Sequence, residues 1–100
     1  MITIKPTERW HASAIAPFLR PADLEEVKYV GNGREPVDVL LESIERSHEC
    51  YTVFVGVTPV GLFGLVHTHT GSCPWALGTP ELTFNKKTFM RESKIGRAHV

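Results

Sequence analysis

The chain has 100 residues, and its eleven Lys and Arg side chains are matched by eleven Asp and Glu, with neither sign forming a block. This balance argues against nucleic-acid or membrane-surface binding driven by bulk charge, and no apolar run approaches the ~20 residues of a membrane span. The length suits one small domain or part of one, able to bury roughly 60–68% of its unfolded surface. Met1-Ile2-Thr3-Ile4-Lys5 lacks the apolar stretch of a signal peptide. Cys50 and Cys73 are lone thiols without metal-ligand spacing, consistent with a reducing compartment.

Ile2–Lys5 alternates apolar and polar and predicts a short strand, stopped at Pro6. Thr7 is the expected N-cap of a first helix, with Glu8 in its first turn. Trp10, Ala14, Phe18 and Leu19 recur at helical spacing and predict the buried stripe. Pro17 removes one backbone hydrogen bond and crowds the preceding turn, a cost of about 3 kcal/mol in a helix interior, so a kink or an early end is expected there. Pro21 suits the first position of a second helical piece with Leu24, Val27 and Val30 inward. Gly31-Asn32-Gly33 closes it, Gly31 being the expected C-cap. Pro36 opens a third helix, whose Val37, Leu40, Leu41, Ile44 and His48 share a stripe while Asp38, Glu42, Glu45 and Arg46 face away.

The rest of the fold is organised around residues 51–82. Tyr51–Val57 and Gly61–Thr68 are rich in Val, Phe and Leu and read as two strands. Thr58-Pro59 is the expected connection, with Gly61 available for a bulge. Phe54 opposes Val53 and Val55 across the pleat, and Phe63 opposes Leu62, so both faces are apolar and helices are expected on both sides. A third strand is expected at Trp75–Leu77. Asn85 is the expected cap of a last helix from Lys86 onward, with Phe89 and Met90 inward. The order is strand, kinked helical stretch, helix, three strands and helix: an α/β (α+β) class with a mixed sheet.

Several residues carry possible chemistry. His67 and His69 share a strand face near Cys73, but structural metal sites take four ligands and no fourth has the spacing, so a surface strand end is expected. Cys73 as a nucleophile would lack the third, orienting group. His48 is expected at the core boundary. Glu25 and Glu26 would act as general bases only within reach of a substrate amine, and a solvated helix face is expected instead. Trp75, following Pro74 into a strand, is expected in the core rather than stacked on a ligand. Arg20 would either line an acceptor site or hydrogen-bond structurally, between domains or at a helix end.

The motifs ITIKPT (Ile2–Thr7), LRPADLEEV (Leu19–Val27), VGLFGL (Val60–Leu65), PWALGTPEL (Pro74–Leu82) and FMRES (Phe89–Ser93) complete the pattern. Together with the order of elements, they resemble the front half of the GNAT (N-acetyltransferase) fold. Within it the chain is similar to a family of internal virion or head-associated proteins from short-tailed phages. The resemblance covers Met1 to about Ser93. It implies a location in the virion or the host cytoplasm and phage virion or assembly proteins as partners; the charge balance leaves nucleic acid and membrane out of the expected partners.

The resemblance also implies a fourth strand splayed from a fifth, with acetyl-CoA as cofactor and its pantetheine arm in the split. A glycine-rich loop would hold the pyrophosphate at the next helix N-terminus. Carried onto this chain, the cofactor-binding positions are Leu77, Gly78, Thr79, Lys86 and Lys87; no catalytic residue is assigned. The activity implied for the family is amine acetylation from the thioester. This chain departs from the loop pattern, because residues 79–95 contain no glycine.

The tail Ile95–Val100 reads IGRAHV. Its codons, written ATC GGA AGA GCA CAC GTC, resemble a common short-read sequencing adapter, with Lys94 as AAG supplying the bases before it. The expected organisation is therefore a GNAT-like domain over residues 1–93, its C-terminal half missing, and a non-native tail over residues 94–100. The fragment as given is expected to be inactive and to bind no acetyl-CoA. It is also expected to self-associate through the sheet edge that the missing half would cover.

Overall fold

Three prolines shape the helical layer. In the computed structural model, which describes residues 2–82, Pro17 ends α1 (Arg9–Ile15) and the chain tightens into a single 3₁₀ turn, Ala16–Phe18. Pro21 and Pro36 each occupy the first turn of a helix, α2 (Pro21–Gly31) and α3 (Pro36–Arg46), where a missing N–H costs nothing. These helices follow β1 (Ile2–Pro6) and precede β2 (Glu49–Val55), β3 (Thr58–Thr68) and β4 (Gly71–Gly78).

The class is the predicted mixture of helix and strand. The four strands form one sheet in chain order, β1-β2-β3-β4. Every pair among them is antiparallel, so over the described residues the sheet is not mixed. The turn between β2 and β3 falls at Gly56-Val57 rather than at Thr58-Pro59, because Gly56 supplies a positive φ of 62° at the first of the two turn positions. Thr58 and Pro59 already pair with Val55 and Phe54. Pro59 is tolerated inside a central strand because the register slips beside it: Val60 is the extra residue between the Pro59–Phe54 and Gly61–Val53 pairs. The third strand is longer than Trp75–Leu77, running back to Gly71.

The pleat sends β3 side chains into two clusters. Leu62 joins Leu77 under Ala12, Ile15, Val27 and Leu40 of the helices. Phe63 and Leu65 lie in a second cluster with Val53, Val60 and Leu82. Both sheet faces are thus apolar, as predicted. Among the described residues the helices α1–α3 lie on one of them; the expected last helix from Lys86 lies outside those residues. Gly64 is the close-approach point of the hairpin. A Cβ there would come within 2.8 Å of both Glu49 O and the Trp75 indole nitrogen. Trp75 instead lies over that backbone, packs against the helix-side core and donates to Ser47 Oγ at 2.8 Å.

Several expected helix features shift. Glu8, not Thr7, is the N-cap of α1; the Thr7 N–H donates to Cys50 O at 3.1 Å, which ties it to the sheet. The buried face of α1 is His11, Ala12 and Ile15, whereas Trp10 is 51% and Phe18 66% exposed. The small Ala12 and Ala16 let this segment close onto the core, and the break at Ile15 removes the register that would have kept Phe18 inward. In α2 the buried residues are Asp23, Val27 and Gly31, and Val30 is exposed. Its left-handed C-cap is Asn32 (φ 49°, ψ 52°), one residue past Gly31, because Asn, too, enters that region at small cost. In α3, Leu40 and Val39 are buried and Val37, Leu41 and Ile44 are half-buried, so the predicted stripe is nearly correct; His48 lies beyond the helix and is exposed.

Candidate functional site

The C-terminal end of β4 meets the first turn of α2, and the two are joined through main-chain groups. The Arg20 N–H donates to Gly78 O at 2.9 Å. The Gly78 N–H donates to Asp23 Oδ2, also at 2.9 Å. The same carboxylate oxygen accepts from Arg20 Nε at 3.0 Å and Nη2 at 2.9 Å. Asp23 is 3% exposed. Its charge is tolerated there because a guanidinium, a peptide N–H and the N-terminal end of the α2 dipole all face it. Leu24 N–H returns to Arg20 O at 2.8 Å, so Arg20 starts the helix and holds the strand at once.

This arrangement fixes the residues expected to hold a cofactor. Leu77 is buried in the helix-side core. Both main-chain groups of Gly78 are engaged by Arg20 and Asp23. Thr79 is buried, its N–H donating to Val60 O and its carbonyl accepting from Leu82 N–H, each at 2.9 Å. Its Oγ1 has no hydrogen-bond partner among the described residues. Lys86 and Lys87 lie outside the described residues. Arg20 therefore serves the helix end, one of its two expected roles, while Glu25 and Glu26 are on the exposed side of α2.

The opposite end of the β3–β4 hairpin gathers the histidines. His67 Nδ1 lies 2.8 Å from Ser72 Oγ, and the His67 and His48 rings meet edge to face at 4.0 Å. His69 is in the turn, and Cys73, placed in β4 opposite Val66, is exposed. Among the described residues no group of three His, Cys, Asp or Glu is placed to hold a metal ion. His67 and His69 are both exposed at this end of the hairpin.

A third polar cluster lies under α1. His11 is 0% exposed. Its Nδ1 accepts from the Glu8 N–H at 3.0 Å and lies 2.8 Å from Thr52 Oγ1, which in turn meets Thr7 Oγ1 at 2.9 Å. The ring edge packs on Trp10 and Phe54 at 4.3 and 5.0 Å. Burial lowers the His11 pKa from its ordinary 6.5; Glu8 acts against that shift and Lys5 adds to it. Nearby, burial pushes the Cys50 thiol up, opposed by its bonds to Thr7 and the Tyr51 backbone, which leaves it a poor nucleophile.

Sequence reasoning did not single out Asp23 or His11. Asp23 stands four residues before Val27 and eight before Gly31, a spacing that places a carboxylate on the inward stripe. His11 stands three residues after Glu8, the position from which a side chain reaches back to the N-cap amide. No family model, curated protein or solved structure matches the chain.

Proposed function

We propose that the chain is a GNAT-like scaffold of the phage head-associated type, acting through protein association and not through acetyl transfer. The order of elements and the antiparallel β1-β2-β3-β4 pairing agree with the front half of the fold that the motifs resemble. The observation that carries the non-catalytic reading is the state of Gly78. A pantetheine arm lying along the fourth strand would need that strand's outward N–H and C=O groups. At Gly78 both are held by Asp23 and Arg20, in bonds of 2.9 Å. Displacing them would strip a buried carboxylate of its peptide donor and leave the Arg20 N–H without its acceptor. The residues present do not fit the arm at this position, and the glycine-free stretch 79–95 does not supply the close backbone approach that a pyrophosphate needs.

Gly78 is equally closed to a partner strand, and Pro74 brings no N–H to the edge. The self-association expected of β4 is therefore confined to the part of the strand before Gly78. One observation favours the second reading, an acetyl-CoA-dependent N-acetyltransferase: Thr79 Oγ1 is buried just past the end of the same strand with no hydrogen-bond partner among the described residues, and an unsatisfied buried polar atom is one mark of a ligand site. Calorimetric titration of acetyl-CoA into the 100-residue chain separates the two. No saturable heat is expected. Micromolar binding, lost in Thr79→Val, would overturn the scaffold reading and put the transferase first.

A further inference from the structure

The polar cluster under α1 contains a group whose bonding fixes its protonation state. A peptide N–H can only donate, so the 3.0 Å contact from Glu8 makes His11 Nδ1 an acceptor and puts the ring proton on Nε2. Thr52 Oγ1 can then donate to the same nitrogen while accepting from Thr7. Nε2 is buried and has no hydrogen-bond partner among the described residues; Glu8 Oε2 lies 3.9 Å away. The only lone pair available to an added proton is thus the one that anchors the N-cap of α1.

We propose that His11 is an acid-sensitive latch: a solvent proton taken up at Nδ1 breaks the bond from the Glu8 N–H and frees the first turn of α1 to fray. The proton adds to the ring lone pair, the Glu8 N–H loses its acceptor, and the Thr52 hydroxyl must turn from donor to acceptor. The charged groups around the ring are few. Glu8 at the N-cap favours the imidazolium and Lys5 on β1 opposes it. The Arg9 charge is matched by Glu45 of α3 at 2.8 Å. On β2 the facing groups are Thr52, Phe54 and the Cys50 thiol, which burial keeps neutral. Desolvation is the largest of these influences and holds the folded pKa below 6.5.

The released segment takes up a proton at the ordinary value, whereas the latched one resists it until lower pH. The latch is therefore fully held above pH 6.5 and weakens as pH falls below that value toward the folded pKa. Amide-exchange protection factors at pH 7.5 and 5.0 test this, comparing residues 8–15 with residues 39–44 of α3. Protection in the first segment is expected to fall by about tenfold relative to the second, the size of one lost hydrogen bond. His11→Asn keeps an acceptor near the Nδ1 position and cannot titrate, so the fall should vanish in that variant. An unchanged ratio in the native chain, or the same fall in His11→Asn, would overturn the proposal. An NMR titration of the His11 ring in the native chain checks it independently of the variant's folding. A pKa at or above 6.5 sinks the latch.

Discussion

At the scale of single residues, the side chain that decides most is Asp23. One carboxylate oxygen gathers the Gly78 N–H and two guanidinium donors, so it closes a strand edge, begins a helix and buries a charge in one place. A carboxylate bonded in this way is weak evidence of net stabilisation over an apolar substitute, but removing it alone strands its partners. Asp23→Ala would leave the Gly78 N–H without its acceptor and Arg20 unpaired, and Arg20 is only a quarter exposed. The expected loss is about 2–3 kcal/mol in urea unfolding. Asp23→Asn, which keeps an acceptor for Gly78 and gives up the ion pair, should lose roughly half of that. A loss below ~0.5 kcal/mol for the alanine variant, the range of ordinary surface changes, would mean that this contact holds nothing together.

At the scale of elements, α3 orders its own residues by depth. Leu40 is 0% exposed and lies beneath the sheet-facing cluster, whereas Leu41 is half-buried at its margin. Leu40→Ala should therefore cost about 3 kcal/mol and Leu41→Ala about 1 kcal/mol, both read from urea midpoints at constant slope. Equal losses would place the two on the same footing and contradict the packing.

That ordering is also where the sequence was most readable. A strong 3.6-residue stripe after Pro36 located α3 and its inward face. Pro17 and Pro21 located the break and the restart before it, since proline acts locally and within its own chain segment. The first helix was misread because Trp10 and Phe18 are large and correctly spaced, yet close approach to the sheet there requires the small Ala12 and Ala16. The hairpin turn was displaced for a related reason. Thr58-Pro59 has turn composition, but the left-handed conformation falls to Gly56 and the register slip at Val60 absorbs the proline. The site was least readable of all. Gly78 and Thr79 could be placed at the end of a strand, but the engagement of Gly78 by Asp23 links positions 55 residues apart, and no local pattern encodes such a contact.

At the scale of the whole molecule, one strand holds the two apolar clusters together. β3 sends Leu62 toward the helices and Phe63 and Leu65 to the other face, so neither cluster can come apart without disturbing the backbone that carries both. β2 repeats the arrangement, with Val53 on one side and Thr52, bonded to His11, on the other. A strand shared in this way couples the two faces through its ladder, and a chain of this size should unfold in one cooperative step. Phe63→Ala is the test, because Phe63 belongs only to the cluster away from the helices and is 2% exposed. It should lower stability by about 3–5 kcal/mol. Far-UV dichroism reports the helices, and the fluorescence of Trp75 reports the helix-side core it packs against. Both transitions should move to lower urea together, with the same midpoint. If Phe63→Ala left the helical transition in place while a separate, earlier one appeared, the two faces would be melting independently, and the coupling through β3 would be wrong.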